Sequence, residues 1–465
     1  MSELYHKLKV YADSEILPMH MPGHKRRMGL IRDPFFIDIT EIDGFDNLYH
    51  AEGILKKAQE RAAGLYHSEE THYLVNGSTA GILSAISGCT SYGGKLLLAR
   101  NSHKSAYHGA LLKGLTVQYI YPQSTGQMGI NGKILPENVD NALKKDSDIQ
   151  AVLITSPTYD GVTSNIEKIA DVVHRYRIPL IVDEAHGAHF PFSDYFPKDS
   201  VSSGADVVVH SLHKTLPSLT QTGLIHLNGS LIDKEKIRRY LSIYQTSSPS
   251  YVLMAGIDEC MGWIEGHKDA FDRFFERILQ FRSVLGRMKH LTLLKTEDMD
   301  LSRILVSVKG TGISGQELSG ILRNEFQIEP EMACNSYVCA ITTVADTKEN
   351  LERLSEAFLE ADRRLYHRLK GDQKLQESKD TVLPAQGVYT LLTALESDKE
   401  FCPLSKAEGK ISGDFVTVYP PGIPLLAPGE VISREIIDRI ICSLQNGLEV
   451  HGTDRNFLQV LKNGR

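Results

Sequence analysis

The sequence predicts an α/β fold, with a mostly parallel sheet in a large domain and smaller α/β units after it. Two observations predict this. Short apolar runs, HYLV at 72–75, KLLLA at 95–99, VQYIY at 117–121, AVLIT at 151–155, PLIVD at 179–183 and DVVVH at 206–210, alternate with helix-like segments such as GILSAI and IEKIADVVHRY. Strands linked by crossover helices become parallel neighbours covered on both faces, with a ligand site beyond their carboxyl ends. The second is composition: 465 residues with 42% hydrophobic and 23% charged match a globular chain of several domains, not disorder, collagen or a coiled-coil rod.

In chain order, Leu4, Leu8 and Tyr11 share one stripe of an opening helix. PMHMPGHKRR then breaks the helix and reads as an ordered arm or loop. This gives an arm over 1–50 and a large domain over 51–290. Phe271, Phe274, Phe275, Ile278 and Leu279 recur at helical spacing on the helix that leads out of it. A small α/β domain over 291–370 follows, with strand RILVSV and helices GQELSGILRNEF and NLERLSEAFLEADRRL. The polar stretch GDQKLQESKD at 371–380 reads as a linker, and a C-terminal domain occupies 381–465.

Charge and cysteine usage narrow the function. With 51 Lys plus Arg against 58 Asp plus Glu, the net charge is −7, which disfavours nucleic acid as a partner; it suits a cationic substrate, and equally plain solubility. The six cysteines form no C-x-x-C pair, so neither a disulfide framework nor a zinc ribbon fits. The N-terminus lacks the apolar core of a signal peptide, and no segment approaches the roughly 18 apolar residues of a membrane span. The cytoplasm is the expected compartment.

Three strand ends carry unusual polar groups. In LVNGSTAGILSAI a strand runs through Asn76, Gly77, Ser78 and Thr79 into a helix. Gly77 permits a tight turn, and free helix-start amides with two hydroxyls suit a phosphate, although an ordinary N-cap has the same residues. In IVDEAHGAH, Asp183 ends a strand and His186 and His189 follow. A metal site lacks a second cluster to complete it. The letters D-E-A-H match those of DEAH-box helicases, but these need G-x-x-x-x-G-K-S/T, and at SYGGKLLL Lys95 is followed by Leu96 and Cys89 replaces the first glycine. A structural Asp and a carboxylate that holds a cofactor cation both stay open. In DVVVHSLHKTLPSL a strand empties into Ser211, His213 and Lys214. Flanking Leu212 and Leu216 suggest a desolvated lysine able to form a Schiff base.

One cofactor needs all three fragments. Pyridoxal phosphate requires a lysine amine, a phosphate cradle, and a carboxylate opposite its ring nitrogen. Lys214, Ser78 with Thr79, and Asp183 supply these, and His103 in RNSHKSAYHG, just after a strand, has a ring that could stack on the cofactor; a surface imidazole reads the same.

HMPGHK, TEIDGFDNLYHAEG, LVNGST, RNSHKS, SPTYDG, VDEAHGAH, HSLHKTL and YPPGIPLLAPGE together make the chain resemble the bacterial ornithine/lysine/arginine decarboxylases, a family of fold-type-I pyridoxal-phosphate enzymes with an aspartate-aminotransferase-like large domain. The resemblance implies that Lys214 carries the cofactor as a Schiff base, that Asp183 pairs with the pyridinium and that His103 stacks on the ring. It places Gly77, Ser78, Thr79, Ser211 and His213 around the phosphate. His186 stands where some members have an aromatic residue, next to the cofactor. It further implies a homodimer with its site at the subunit interface, where QTSSPSY near Thr246 reaches the neighbouring phosphate. The large members carry an N-terminal wing, whereas here HMPGHK begins within about twenty residues of the start, and the C-terminal module is shorter.

The implied reaction is decarboxylation of arginine, lysine or ornithine to agmatine, cadaverine or putrescine. Glu41, Asp43, Asp46 and Glu430 are candidate partners for the substrate's cationic end. An aminotransferase on the same scaffold would use the same Lys and Asp, with Arg303 or Arg323 on the α-carboxylate; a non-catalytic cofactor-binding protein is the remaining alternative.

Overall fold

The computed structural model describes residues 3–31, 33–125, 129–368, 381–419, 422–445, 447–454 and 456–462. The expected linker at 371–380, and Pro420 and Pro421 of the YPPGIP motif, lie outside the described residues.

A seven-stranded sheet forms the centre: β1 (Glu70–Leu74), β2 (Lys95–Ala99), β3 (Thr116–Ile120), β4 (Ile149–Thr155), β5 (Leu180–Asp183), β6 (Val207–Ser211) and β7 (Gly223–Leu227), in the order β1-β7-β6-β5-β4-β2-β3. The six expected strands are present, each within two residues of its apolar run. Neighbours from β6 to β3 are parallel, while β7 is antiparallel to both β6 and β1. The sequence reading missed β7. The chain reverses between Ser211 and Gly223, too short a link for the crossover a parallel strand needs, so β7 returns as an antiparallel neighbour.

The central strands read as continuous apolar runs because both their faces are covered. Leu98, Leu153, Ile181, Val207 and Val209 pack on one side, and Leu97, Val152, Ile154, Val182 and Val208 on the other, all at 0% exposure. Helix α1 (Gly77–Cys89) follows β1 and α2 (Lys104–Leu112) follows β2.

Helix α3 (Asp269–Leu285) joins two cores. Phe271, Phe274, Phe275 and Ile278 sit in a cluster beneath the large sheet, and Phe281 and Leu285 in the next core along the chain. Leu279 departs from expectation and is 47% exposed, because one residue beyond Ile278 turns a side chain about 100° around the helix. The second core lies under an antiparallel sheet ordered Met332–Ala333, Tyr337–Ile341, Arg303–Ser307, Thr292–Leu293. It is covered by α4 (Gly315–Phe326), started by a Ser314/Glu317 capping box, and α5 (Lys348–Arg368). The opening helix forms over Glu3–Ala12, but Leu8 is exposed. After it the arm is fixed: Leu17–Met19 pairs in parallel with Ile328–Pro330. A third core gathers Cys402, Val416, Leu426, Ile436, Ile440 and Leu458 near the C-terminus.

Among the described residues, no helix is long and apolar enough to cross a membrane, and no group of three His, Cys, Asp or Glu could hold a metal ion.

Candidate active site

Adjacent parallel strands end at one edge of the sheet, and this edge collects the polar groups. Asp183 closes β5 in register with Val209 of β6. Beyond Ser211 the chain makes a single helical turn, Leu212–Thr215, that presents His213 and Lys214. The N-terminal arm braces this turn: Gly23 N–H donates to His213 O at 2.6 Å, and Thr343 Oγ1 donates to Gly23 O at 2.7 Å. A Cβ at Gly23 would lie 2.7 Å from Leu216 O, so only glycine allows the approach.

Lys214 Nζ lies 2.9 Å from His186 Nε2. Burial pulls the lysine down to about 8 from its ordinary value of 10.5; Asp183 and Glu331 oppose that shift and Arg303 adds to it. Asp183 is 5% exposed and accepts the Ala185 N–H at 3.2 Å. Burial pushes its carboxyl above the usual range, and Lys214 draws it back.

His103 stands at the N-cap of α2, where its Nδ1 accepts the Ser105 N–H at 3.3 Å. Burial, with the charge of Lys214 second, takes it down to about 3, so its ring is neutral. Gly422, from the C-terminal YPPGIP segment, approaches this ring: a Cβ there would lie 3.5 Å from His103 Cδ2 and Nε2. His213 Nδ1 donates to Thr222 O at 3.0 Å, and burial takes it down to about 4.

At the end of β1, separated from β6 by antiparallel β7, Gly77 has φ +71° and opens α1. Asn76 makes no side-chain cap there, so the helix start keeps the capacity to bind an anion that an N-cap would use up. Ser211 Oγ and Ser78 Oγ are 2.8 Å apart, which joins this cradle to the lysine turn, and Thr79 is exposed beside them. The donor set fits pyridoxal phosphate: an anion cradle, a buried carboxylate for a ring cation, and a desolvated amine. His213, Lys214, His186, His103 and Asp183 are linked by a hydrogen bond or mutual charge effects, and the Ser78–Ser211 pair joins them through the chain at Ser211. Thr246 belongs elsewhere in this chain, its carbonyl accepting from Tyr49 Oη at 2.5 Å.

The acidic candidates are deployed differently. Glu430 is 1% exposed and pairs with buried Arg100 at 3.2 Å, which corrects its expected role as a substrate partner. Asp46 accepts the N–H groups of Glu52, Gly53 and Leu55. Asp43 is exposed and Glu41 half-exposed. Of the two arginines, Arg323 is exposed and bonds Glu329 at 2.7 Å. Arg303 is fully buried, with Nη2 2.6 Å from His186 Nδ1, and its Nε and Nη1 make no hydrogen bond among the described residues. Sequence reasoning also missed Tyr159 and Glu331. Tyr159 packs edge-on to His186 at 5.2 Å and donates to Glu331 at 2.7 Å. The SPTYDG motif carried Tyr159; Glu331 had no local signal.

The model of Orn/Lys/Arg decarboxylase, major domain, matches residues 2–302, and that of Orn/Lys/Arg decarboxylase, C-terminal domain, matches 372–447. An arginine decarboxylase of Bacillus anthracis is 31% identical over 99% of this chain and 96% of its own length. One of Bacillus subtilis is 30% identical over 99% and 97%. In three dimensions the chain is similar to lysine decarboxylase A from Pseudomonas aeruginosa, with a TM-score of 0.78 at 18% identity over 92% of this chain and 74% of that one.

Proposed function

The chain belongs to the Orn/Lys/Arg decarboxylase family, and we propose that it decarboxylates arginine to agmatine and CO2, with pyridoxal phosphate held at Lys214. The reaction, loss of CO2 from a basic amino acid, follows from the family. Arginine is favoured over lysine and ornithine because three relatives that align over 99% of the chain bear the name arginine decarboxylase. The observation that carries the site assignment is the amine of Lys214, desolvated and set with buried Asp183 at the ends of adjacent strands.

Pyridoxal phosphate held there would supply an aldehyde for the substrate amine and a cationic ring as an electron sink. The buried carboxylate of Asp183 would favour a proton on that ring's nitrogen by its negative charge. Gly77, Ser78, Thr79, Ser211 and His213 would hold the phosphate and His103 would lie against the ring, with His186 packed beside the lysine. Return of the proton to the substrate carbon falls to Lys214, which burial brings down to about 8, rather than to His103, brought down to about 3.

We assign a homodimer with the site at the subunit interface, Thr246 facing the partner. Supporting this, Phe35 and Phe36 are 90% and 88% exposed on a segment that also exposes Ile42 and Phe45, apolar side chains that a partner subunit would cover. The division into 1–50, 51–290, 291–370 and 381–465 is part of the same proposal, supported by separate apolar clusters in the last three.

The test is a panel of arginine, lysine and ornithine with purified protein, alongside Lys214→Ala. Arginine should give CO2 and agmatine; the variant should lose turnover and borohydride-stable cofactor attachment. A keto acid product, or attachment mapped to another lysine, would overturn the reading.

A further inference from the structure

The guanidinium of Arg303 meets the reactive lysine through one imidazole. Arg303 comes from the small sheet, Lys214 from the large one, and His186 lies between them, 2.6 Å from Arg303 Nη2 at Nδ1 and 2.9 Å from Lys214 Nζ at Nε2. A guanidinium has N–H donors and no acceptor, so His186 Nδ1 must accept. Burial and the charges of Lys214 and Arg303 hold His186 well below the ordinary histidine value, so the ring is neutral and its one proton sits on Nε2. That N–H points at Lys214 Nζ, which can accept only as a free amine with its lone pair available.

We propose that Arg303 is a positioning residue that fixes the tautomer of His186 and thereby favours the free-amine form of Lys214, so that the nucleophile is prepared when the small sheet is seated on the large one. This rests on the function proposed above only in naming Lys214 as the nucleophile. The packing supports a fixed ring: Tyr159 lies edge-on to His186 and is itself held by Glu331, whose other oxygen accepts the Met21 N–H at 2.9 Å. Arg303 is equally fixed. A Cβ at Gly161 would lie 2.6 Å from Arg303 Cγ, and Gly161 has φ +90°. The charged and titratable groups around Lys214 are Asp183 and Glu331, which favour the ammonium, and Arg303, which opposes it, with His103, His186 and His213 all neutral.

The direct charge effect of Arg303 and its effect through His186 have the same sign, so the experiment must separate them. The full chain, stripped of cofactor with hydroxylamine, is trace-labelled with acetic anhydride across pH 6–10, and acetylation of Lys214 is read by peptide mass spectrometry. The wild-type midpoint should lie near 8. Arg303→Met should raise it by about one unit, a tenfold loss of free amine below the midpoint. Arg303→Lys keeps a donor-only group and should restore most of the shift. In a His186→Phe background, Arg303→Met should raise the midpoint by less than in wild type, leaving only the direct charge effect, because the relay is already cut. An unmoved midpoint in Arg303→Met, or an undiminished shift in the His186→Phe background, would overturn the proposal. Should Arg303→Met not fold, 15N shifts of the wild-type His186 ring decide the matter: the Nε2–H form is expected, and the Nδ1–H form overturns it. The labelling needs neither cofactor nor turnover, so a failed decarboxylase assay and a failed relay give separate results.

Discussion

Glu430→Gln removes one charge from an ion pair that is almost dry. Arg100 and Glu430 are 1% and 2% exposed at the side chain and 3.2 Å apart. At an effective dielectric of 20, two unit charges at that distance attract by about 5 kcal/mol, and breaking a buried pair costs roughly 3–5 kcal/mol. Arg100 keeps other acceptors, Tyr107 Oη at 2.9 Å, Pro424 O at 2.6 Å and Leu425 O at 3.1 Å, so the low end, about 3 kcal/mol, is expected. The glutamine oxygen can also keep the Ala427 N–H that Glu430 now accepts at 2.8 Å. The loss should fall on the junction between the C-terminal segment and the strand end that leads to His103. Thermal melting should show a drop of several degrees, and limited proteolysis faster cleavage after residue 381. Substrate KM should change little in protein that remains folded. Unchanged melting and proteolysis with a large rise in KM would refute the reasoning and return Glu430 to the substrate site.

Three further outcomes follow from the same structure. Gly23→Ala would push a Cβ against the Leu216 backbone and displace the arm from the lysine turn, so cofactor retention measured by absorbance after dialysis should fall; retention equal to wild type would contradict the close approach. Phe274→Ala empties a 1% exposed site at the heart of α3 and should cost about 3–5 kcal/mol, checked by urea unfolding. His103, His210 and His213, lowered chiefly by burial to about 3, about 4 and about 4, stay neutral in the folded state while the unfolded chain takes up protons below about 6.5. Their contribution to stability is therefore fully present above pH 6.5 and is lost as pH falls toward 4; Asp183 and Glu184, raised by burial, act in the opposite direction. His210→Asn should make the fall in melting temperature between pH 6.5 and 4.5 shallower, and an unchanged slope would count against a buried neutral imidazole.

Local sequence was enough for the strands that lie between helices, because burial on both faces makes them unbroken apolar runs such as Val207–Val209. It was also enough to place Gly77, Ser78, Asp183 and Lys214 at or just past strand ends, and these strands, running in the same direction, bring their ends to one edge of the sheet. β7 escaped because its direction depends on the length of the link after β6, and Leu279 because a helical stripe read to within one residue includes its flank.

What the sequence by itself determined is the family and the set of polar groups at the sheet's edge, since short-range spacing to a strand end places each one. The tertiary structure alone decided which distant side chains meet them. Arg303 lies 117 residues from His186 along the chain, and Glu430 lies 330 from Arg100, separations over which no periodicity in the sequence carries information. Such pairs form where separate cores pack against each other, and there a buried charge must find its partner from whatever element the packing delivers.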